Sequence, residues 1–209
     1  MAKVYVCALA LLATLAVAGE AAVAAQRGAA KSSANLIANG GFEEPVVSVG
    51  GYSLFSPGQS FPGWRVVGAA GNVAPISGAY TSDGFRFVAR TGRQWIDLTG
   101  LSNSATGIAQ TVGTKAGASY RLSFSVGNIV EPGGGFGTSS TVVVLVNGRR
   151  LLAATNSVGR PSLQSWKAFT TTVKATSART TIEFRNGDSR ADDENGLDAV
   201  TLRQRSPGD

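Results

Sequence analysis

The chain contains no histidine among its 209 residues, and its only cysteine is Cys7. Without histidine there is no Ser-His-Asp or Cys-His catalysis, no imidazole general base and no zinc site built on imidazole. Cys7 lies within an apolar N-terminal run, so the chain beyond that run has no disulfide, thiolate metal site or cysteine nucleophile. Dense runs of one charge are also missing. The 19 Lys and Arg against 13 Asp and Glu give +6, but the cations are scattered and mostly Arg. Nucleic-acid binding calls for clustered cations with interleaved aromatics, and this pattern excludes it. A diffuse positive field suits either solubility or attraction to an acidic polymer such as a pectin-like glycan. No apolar segment approaches the roughly 20 residues of a membrane span.

The apolar run itself, Val4 to Val17, follows Lys3 and is succeeded by small residues including Ala22-Val23-Ala24. That order reads as a secretory signal peptide over residues 1–25, and hence as export. Residues 26–34 read as a flexible leader, 35–204 as one domain and 205–209 as a frayed tail. An exported domain without disulfides must be held by its core or by a bound ion.

The domain is patterned throughout as strand. Tyr120, Leu122, Phe124 and Val126 alternate with Arg121, Ser123 and Ser125, and Thr180, Ile182 and Phe184 alternate with Arg179, Thr181, Glu183 and Arg185. Period-two alternation marks strands with one wet face. Thr141–Val146 is a β-branched run closed by Asn147-Gly148, a hairpin signal. Further strands are expected at Trp64–Val67, Phe85–Arg90, Gln94–Leu98, Gly107–Val112, Trp166–Lys174 and Leu197–Arg203. Many short strands separated by glycine-rich turns predict an all-β sandwich of jelly-roll type.

Seven segments occur in order: N-G-G-F-E-E-P at Asn39, F-P-G-W at Phe61, Q-W-I-D-L-T-G at Gln94, G-I-A-Q-T-V at Gly107, Y-R-L-S-F-S-V-G-N at Tyr120, S-W-K-A-F-T-T-T-V at Ser165 and L-D-A-V-T-L at Leu197. On these the chain resembles the choice-of-anchor C group of secreted proteins, related to the plant cell-wall domain of unknown function 642. The C-terminal sorting anchor of the bacterial proteins and the cysteines of the plant proteins are missing. The resemblance implies a galactose-binding-like jelly roll. It also implies a structural Ca²⁺ held between the opening Gly-Phe-Glu segment and the closing strand, which falls here on Glu43 and Asp198. In Leu197–Leu202, residues 198, 200 and 202 are expected to share the buried face, where an unpaired carboxylate is costly. Asp198 therefore needs a turn to cap, an arginine or a metal. Ca²⁺ takes six to eight oxygens, so backbone carbonyls would have to complete the shell.

Sugar recognition stacks an aromatic ring on a pyranose and flanks it with polar groups. Trp64 and Trp166 are expected in the core. If Ile96 and Leu98 face the core, Trp95 and Asp97 share the outer face, with Arg93 and Gln94 beside them. Trp95, Asp97 and Arg93 are thus the candidate ligand residues, joined by Phe136 on the glycine-rich loop from Glu131 to Thr138. The acidic run Asp188, Asp192, Asp193, Glu194 could bind Ca²⁺ or sugar hydroxyls, but it reads as a solvated loop. A glycosidase needs two carboxylates about 5–10 Å apart across a cleft, and acids are few here. The sequence therefore points to a secreted, non-catalytic module for extracellular or cell-wall polysaccharide. The alternative is a structural domain that contacts cell-wall or matrix proteins.

Overall fold

The computed structural model describes residues 33–188 and 192–206. The expected signal peptide, most of the leader and the last three residues lie outside them. The described residues contain thirteen strands and no helix. These are β1 (Ser60–Phe61), β2 (Trp64–Gly68), β3 (Ala74–Ser77), β4 (Tyr80–Ser82), β5 (Phe85–Phe87), β6 (Gln94–Asp97), β7 (Thr106–Gly113), β8 (Ser119–Asn128), β9 (Ser140–Val146), β10 (Arg149–Asn156), β11 (Ser165–Lys174), β12 (Arg179–Asn186) and β13 (Gly196–Gln204).

They form a six-stranded sheet in the order β1-β2-β7-β12-β9-β10, a five-stranded sheet in the order β11-β8-β13-β6-β3, and the separate hairpin β4-β5. The architecture is the all-β jelly-roll sandwich that the alternation implies. Tyr120, Leu122, Phe124 and Val126 of β8 face Ile182 and Phe184 of β12 in one core, with the Phe124 and Phe184 rings edge to face at 5.2 Å. Each such side chain, fully buried, contributes about 1.5–3 kcal/mol. Asn147 and Gly148 take positive φ and close the β9–β10 hairpin. The sequence pattern names β9 and the turn, but not β10.

The opening segment is fastened to the closing strand. Asn35 bridges Arg203, Leu36 N donates to Leu202 O at 2.9 Å and Val200 N donates to Gly40 O at 2.8 Å. A Cβ on Gly40 would stand 2.0 Å from Val200 O, so only glycine permits this approach. Phe42 and Val200 then enter the same core. Buried Gln94 holds the segment from the other side. Its Nε2 donates to Phe42 O (2.7 Å) and Pro45 O (3.0 Å), and its Oε1 accepts from Val47 N (2.8 Å).

The closing strand departs from simple alternation. Its register to β8 shifts between Asp198 and Thr201, and Ala199 has φ of 56°. This bulge inserts a residue and flips the side-chain sequence. Leu197 lies opposite Val126 and Leu202 opposite Leu122 on the core face, whereas Asp198 lies opposite Ser125 on the outer face. Asp198 therefore does not share a face with Val200 and Leu202, contrary to the expectation from period two. It is buried all the same, because the chain at Thr91 covers it.

Replacing Gln94 by alanine strands three backbone groups and leaves a void. We expect a loss of roughly 2–4 kcal/mol in urea unfolding, with the strand content by circular dichroism unchanged.

Candidate binding cleft

The outer face of the five-stranded sheet is not bare. Ile96 and Leu98 point into the main core, so Trp95 and Asp97 point outward. There Trp95 meets Ile76 of β3, Phe87 of the β4–β5 hairpin and Ile129, with Trp166 and Phe136 packed alongside. Trp95 stacks on Phe87 at 6.2 Å and 11°, and meets Trp166 edge to face at 6.0 Å. Phe136 stands 5.3 Å from both Phe85 and Phe87. Trp166 thus belongs to this outer cluster and not to the main core, where Trp64 does sit.

Between the hairpin, the glycine-rich loop and the segment at Tyr52 lies a cavity of about 120 Å³. Its walls include Tyr52, Tyr80, Phe87, Trp95 and Phe136, and its polar side carries Asp97, Asp193 and Glu194. The Tyr52 and Tyr80 rings meet edge to face at 5.9 Å. Three of the four expected ligand residues, Trp95, Asp97 and Phe136, converge here. Arg93 does not. It precedes β6, its side chain is 86% exposed, and its guanidinium stands 3.9 Å from the Glu43 carboxylate. Trp95 is wholly buried and offers no open platform. Its Nε1–H has no acceptor among the described residues.

Sequence reasoning missed the acids of the cleft wall. The run 188–194 is not a solvated loop where it is described: Asp192 is 5% and Glu194 1% exposed. Asp193 N donates to Gly135 O (2.8 Å), Ser140 Oγ to Glu194 O (2.9 Å) and Asn195 Nδ2 to Thr141 O (2.6 Å). These bonds fold the segment against the sheet and bury Asp192, Glu194 and Asn195, while Asp193 stays exposed. Glu194 accepts from Gln164 Nε2 and Ile129 N, both at 2.9 Å. A signal for this exists in the strands. Gly127 and Gly196 lie opposite one another, and a Cβ on either would come within 2.8 Å of Gln164 Nε2 and 3.1 Å of Glu194 Oε1. Glycine inside a strand marks such close approach.

Burial, reinforced by the nearby Asp97, pushes the Glu194 carboxyl up to about 8. Burial raises Asp97 to about 6, although Thr99, Gly100 and Asn195 all donate to it. Burial raises Asp192 to about 7. Burial and Asp192 raise Asp188 to about 9. Burial therefore shifts the Glu194 carboxyl toward its neutral form, while both of its oxygens accept hydrogen bonds from Gln164, Ile129 and Ser140.

Glu43 and Asp198 flank Gly41, on which a Cβ would lie 3.8–4.0 Å from Thr91 Oγ1, Glu43 Cγ and Asp198 Oδ1. Both carboxylates grip one loop. Glu43 Oε1 accepts from Arg93 N (2.8 Å) and Gln94 N (3.1 Å), and Asp198 Oδ2 accepts from Thr91 N (2.9 Å). Burial still raises Asp198 to about 6, so these donors do not offset its desolvation. The side-chain oxygens gathered here are two carboxylates and the Thr91 hydroxyl, fewer than the six to eight that Ca²⁺ takes. No group of three or more acidic, histidine or cysteine side chains forms a metal site among the described residues. A cation here would draw most of its ligands from backbone carbonyls.

Because the folded state holds protons that the unfolded state releases, stability contributed by Glu194 is present at low pH. It falls as pH rises from about 4.5 to about 8. We expect the melting temperature to drop by several degrees over that range, and Glu194→Gln to flatten the dependence.

The family model described as HpiC1-like, HpiC1 cyclase, matches residues 33–203. It is not the model of the choice-of-anchor C or domain-642 groups. No curated protein matches the sequence. Among solved structures the fold is similar to the CBM22-1 xylan-binding domain of Paenibacillus barcinonensis Xyn10C, at 17% identity and a TM-score of 0.45 over 84% of this chain and 97% of that one. It is also similar to a family 35 carbohydrate-binding module from Clostridium thermocellum, at 14% identity and 0.44 over 73% and 97%. With a family model spanning nearly all of the described residues, the chain belongs to the HpiC1-like family.

Proposed function

We propose that this protein is an exported binding module whose cleft receives one oxygen-bearing ring of a ligand, a sugar unit of an extracellular or cell-wall polysaccharide. The observation that carries the reading is the buried Trp95 Nε1–H, which lacks an acceptor while its ring lines an aromatic cavity. A buried donor left unpaired costs about 1–3 kcal/mol, and a ligand oxygen would recover it. At about 120 Å³ the space is smaller than the roughly 150 Å³ that admits a single benzene ring, so one edge of a sugar ring would enter and the rest would lie at the mouth. Tyr52 and Leu54 are partly exposed at the mouth, where a second sugar would stack. Binding without catalysis is favoured because the acids line one side of the cleft and Asp97 is already engaged by its neighbours.

A second reading is acid-assisted ring closure of an apolar small molecule. It is supported by Glu194, which keeps its proton to about pH 8 beside aromatic walls that favour a developing cation, and by the cyclase description of the family. On this reading Glu194→Gln abolishes turnover and leaves affinity intact. Contact with cell-wall or matrix proteins stands as the alternative that needs no cleft ligand.

The sequence has three tryptophans, and Trp64 and Trp166 donate their indole N–H groups to Asn39 O and Val88 O. In a ¹⁵N spectrum titrated with xylan, mannan and pectin oligosaccharides, we expect the Trp95 indole signal to move and the other two to stay. Stationary signals with every glycan would remove the sugar reading. We further propose a structural Ca²⁺ at Glu43 and Asp198. A chelator should then lower the melting temperature, Asp198→Asn should melt as the chelated protein does, and an unchanged melting curve would dismiss the ion.

A further inference from the structure

The outer face of the five-stranded sheet has a second half, away from the cleft. The chain from Val88 to Arg93 separates the two, held by Trp166 Nε1 to Val88 O (2.8 Å) at one end and Thr91 N to Asp198 Oδ2 (2.9 Å) at the other. Beyond it the register fixes what lies side by side. Arg121 of β8 stands between Thr172 of β11 and Arg203 of β13, with Ser123 between Thr170 and Thr201 one step along. Lys174 lies opposite Ser119, and Arg205 N continues the edge by donating to Ser119 O at 2.9 Å.

Adjacent strands are about 4.8 Å apart and same-face neighbours about 6.8 Å. Four cations, Arg121, Lys174, Arg203 and Arg205, therefore share a patch only a few residues across. Among the described residues no carboxylate forms an ion pair with any of them. The ion pairs among the described residues are Arg93–Glu43 and Arg185–Glu183, and neither reaches this face. On the other sheet one cation, Arg185, is paired with Glu183 of its own strand. Two of the four cations are already oriented, Arg203 Nη1 toward Ser33 O (2.6 Å) and Arg205 Nη1 toward Thr172 Oγ1 (3.2 Å). Arg205 Nε is buried with no acceptor among the described residues. Arg121 and Lys174 are exposed.

We infer that this half-face is a docking track for an extended polyanionic glycan, carboxylated or sulfated. Charge complementarity supplies the attraction. The hydroxyls between the cations, such as Ser123 and Thr170 with oxygens 3.1 Å apart, exchange readily with sugar hydroxyls. The patch carries no aromatic ring on which a base could stack, which disfavours a single-stranded nucleic acid. The track does not depend on what occupies the cleft.

The test is affinity electrophoresis and calorimetry of the mature protein with polygalacturonate, dextran sulfate and neutral dextran. The comparison is between the parent protein, Arg121→Gln/Lys174→Gln and Arg150→Gln, the last on the other sheet. We expect one or both polyanions to bind, with affinity falling as salt rises from about 50 to about 300 mM. Preference for one polyanion identifies the anion. The double variant should bind on the order of tenfold more weakly at an unchanged melting temperature, and Arg150→Gln, at an exposed position on the other sheet, should bind these polyanions as the parent does. The track is refuted by equal binding to neutral dextran, by undiminished binding of the double variant, or by tighter binding of a single-stranded oligonucleotide than of either polyanion.

Discussion

The closure of the chain on itself is the constraint on which the rest depends. The backbone of Gly40 lies against Val200 with no room for a side chain, and the bonds between Asn35, Leu36 and Gly40 and the closing strand fasten the opening segment along β13. Because β13 is the middle strand of its sheet, its position decides where β6 stands, and β6 carries Trp95 and Asp97. A domain without disulfides thus replaces a covalent tie with a close backbone crossing, one buried glutamine and two acids that grip the same loop.

The two faces of the five-stranded sheet do different work. The inner face supplies the core. The outer face is divided by the chain from Val88 to Arg93 into an aromatic half with buried acids and an open half with hydroxyls and cations. Both halves grow from the same alternation in β8 and β11. The division arises because Trp166 and Asp198, at neighbouring places on the outer face, each hold that crossing chain down.

Much of this was legible in the residues. Alternation in β8 and β12 gave the faces, and Ile96 with Leu98 placed Trp95 and Asp97 outward before any coordinate was needed. Three features were not legible, each for a physical reason. The bulge after Asp198 is a single-residue insertion that leaves the apolar pattern intact on both sides, so period two carried Asp198 to the wrong face. The acids near Glu194 looked like a solvated loop because local composition is polar, and their burial is imposed by partners as distant in sequence as Gln164, Ser140 and Gly135. Arg93 stands beside the candidate ligand residues in the chain, yet it lies just before β6, where Glu43 holds its backbone N–H and its side chain is left in solvent.

The paired glycines under Glu194 have a consequence of their own. Gly127 and Gly196 contribute nothing but vacant volume, and that volume is what lets a carboxyl lie flat on the sheet and out of water. The burial that raises the proton affinity of this carboxyl thus depends in part on two residues that carry no charge. A single methyl group at either glycine would press on the Gln164 amide and the Glu194 carboxyl together, so one added carbon would disturb the hydrogen-bonded pair that keeps this acid out of water.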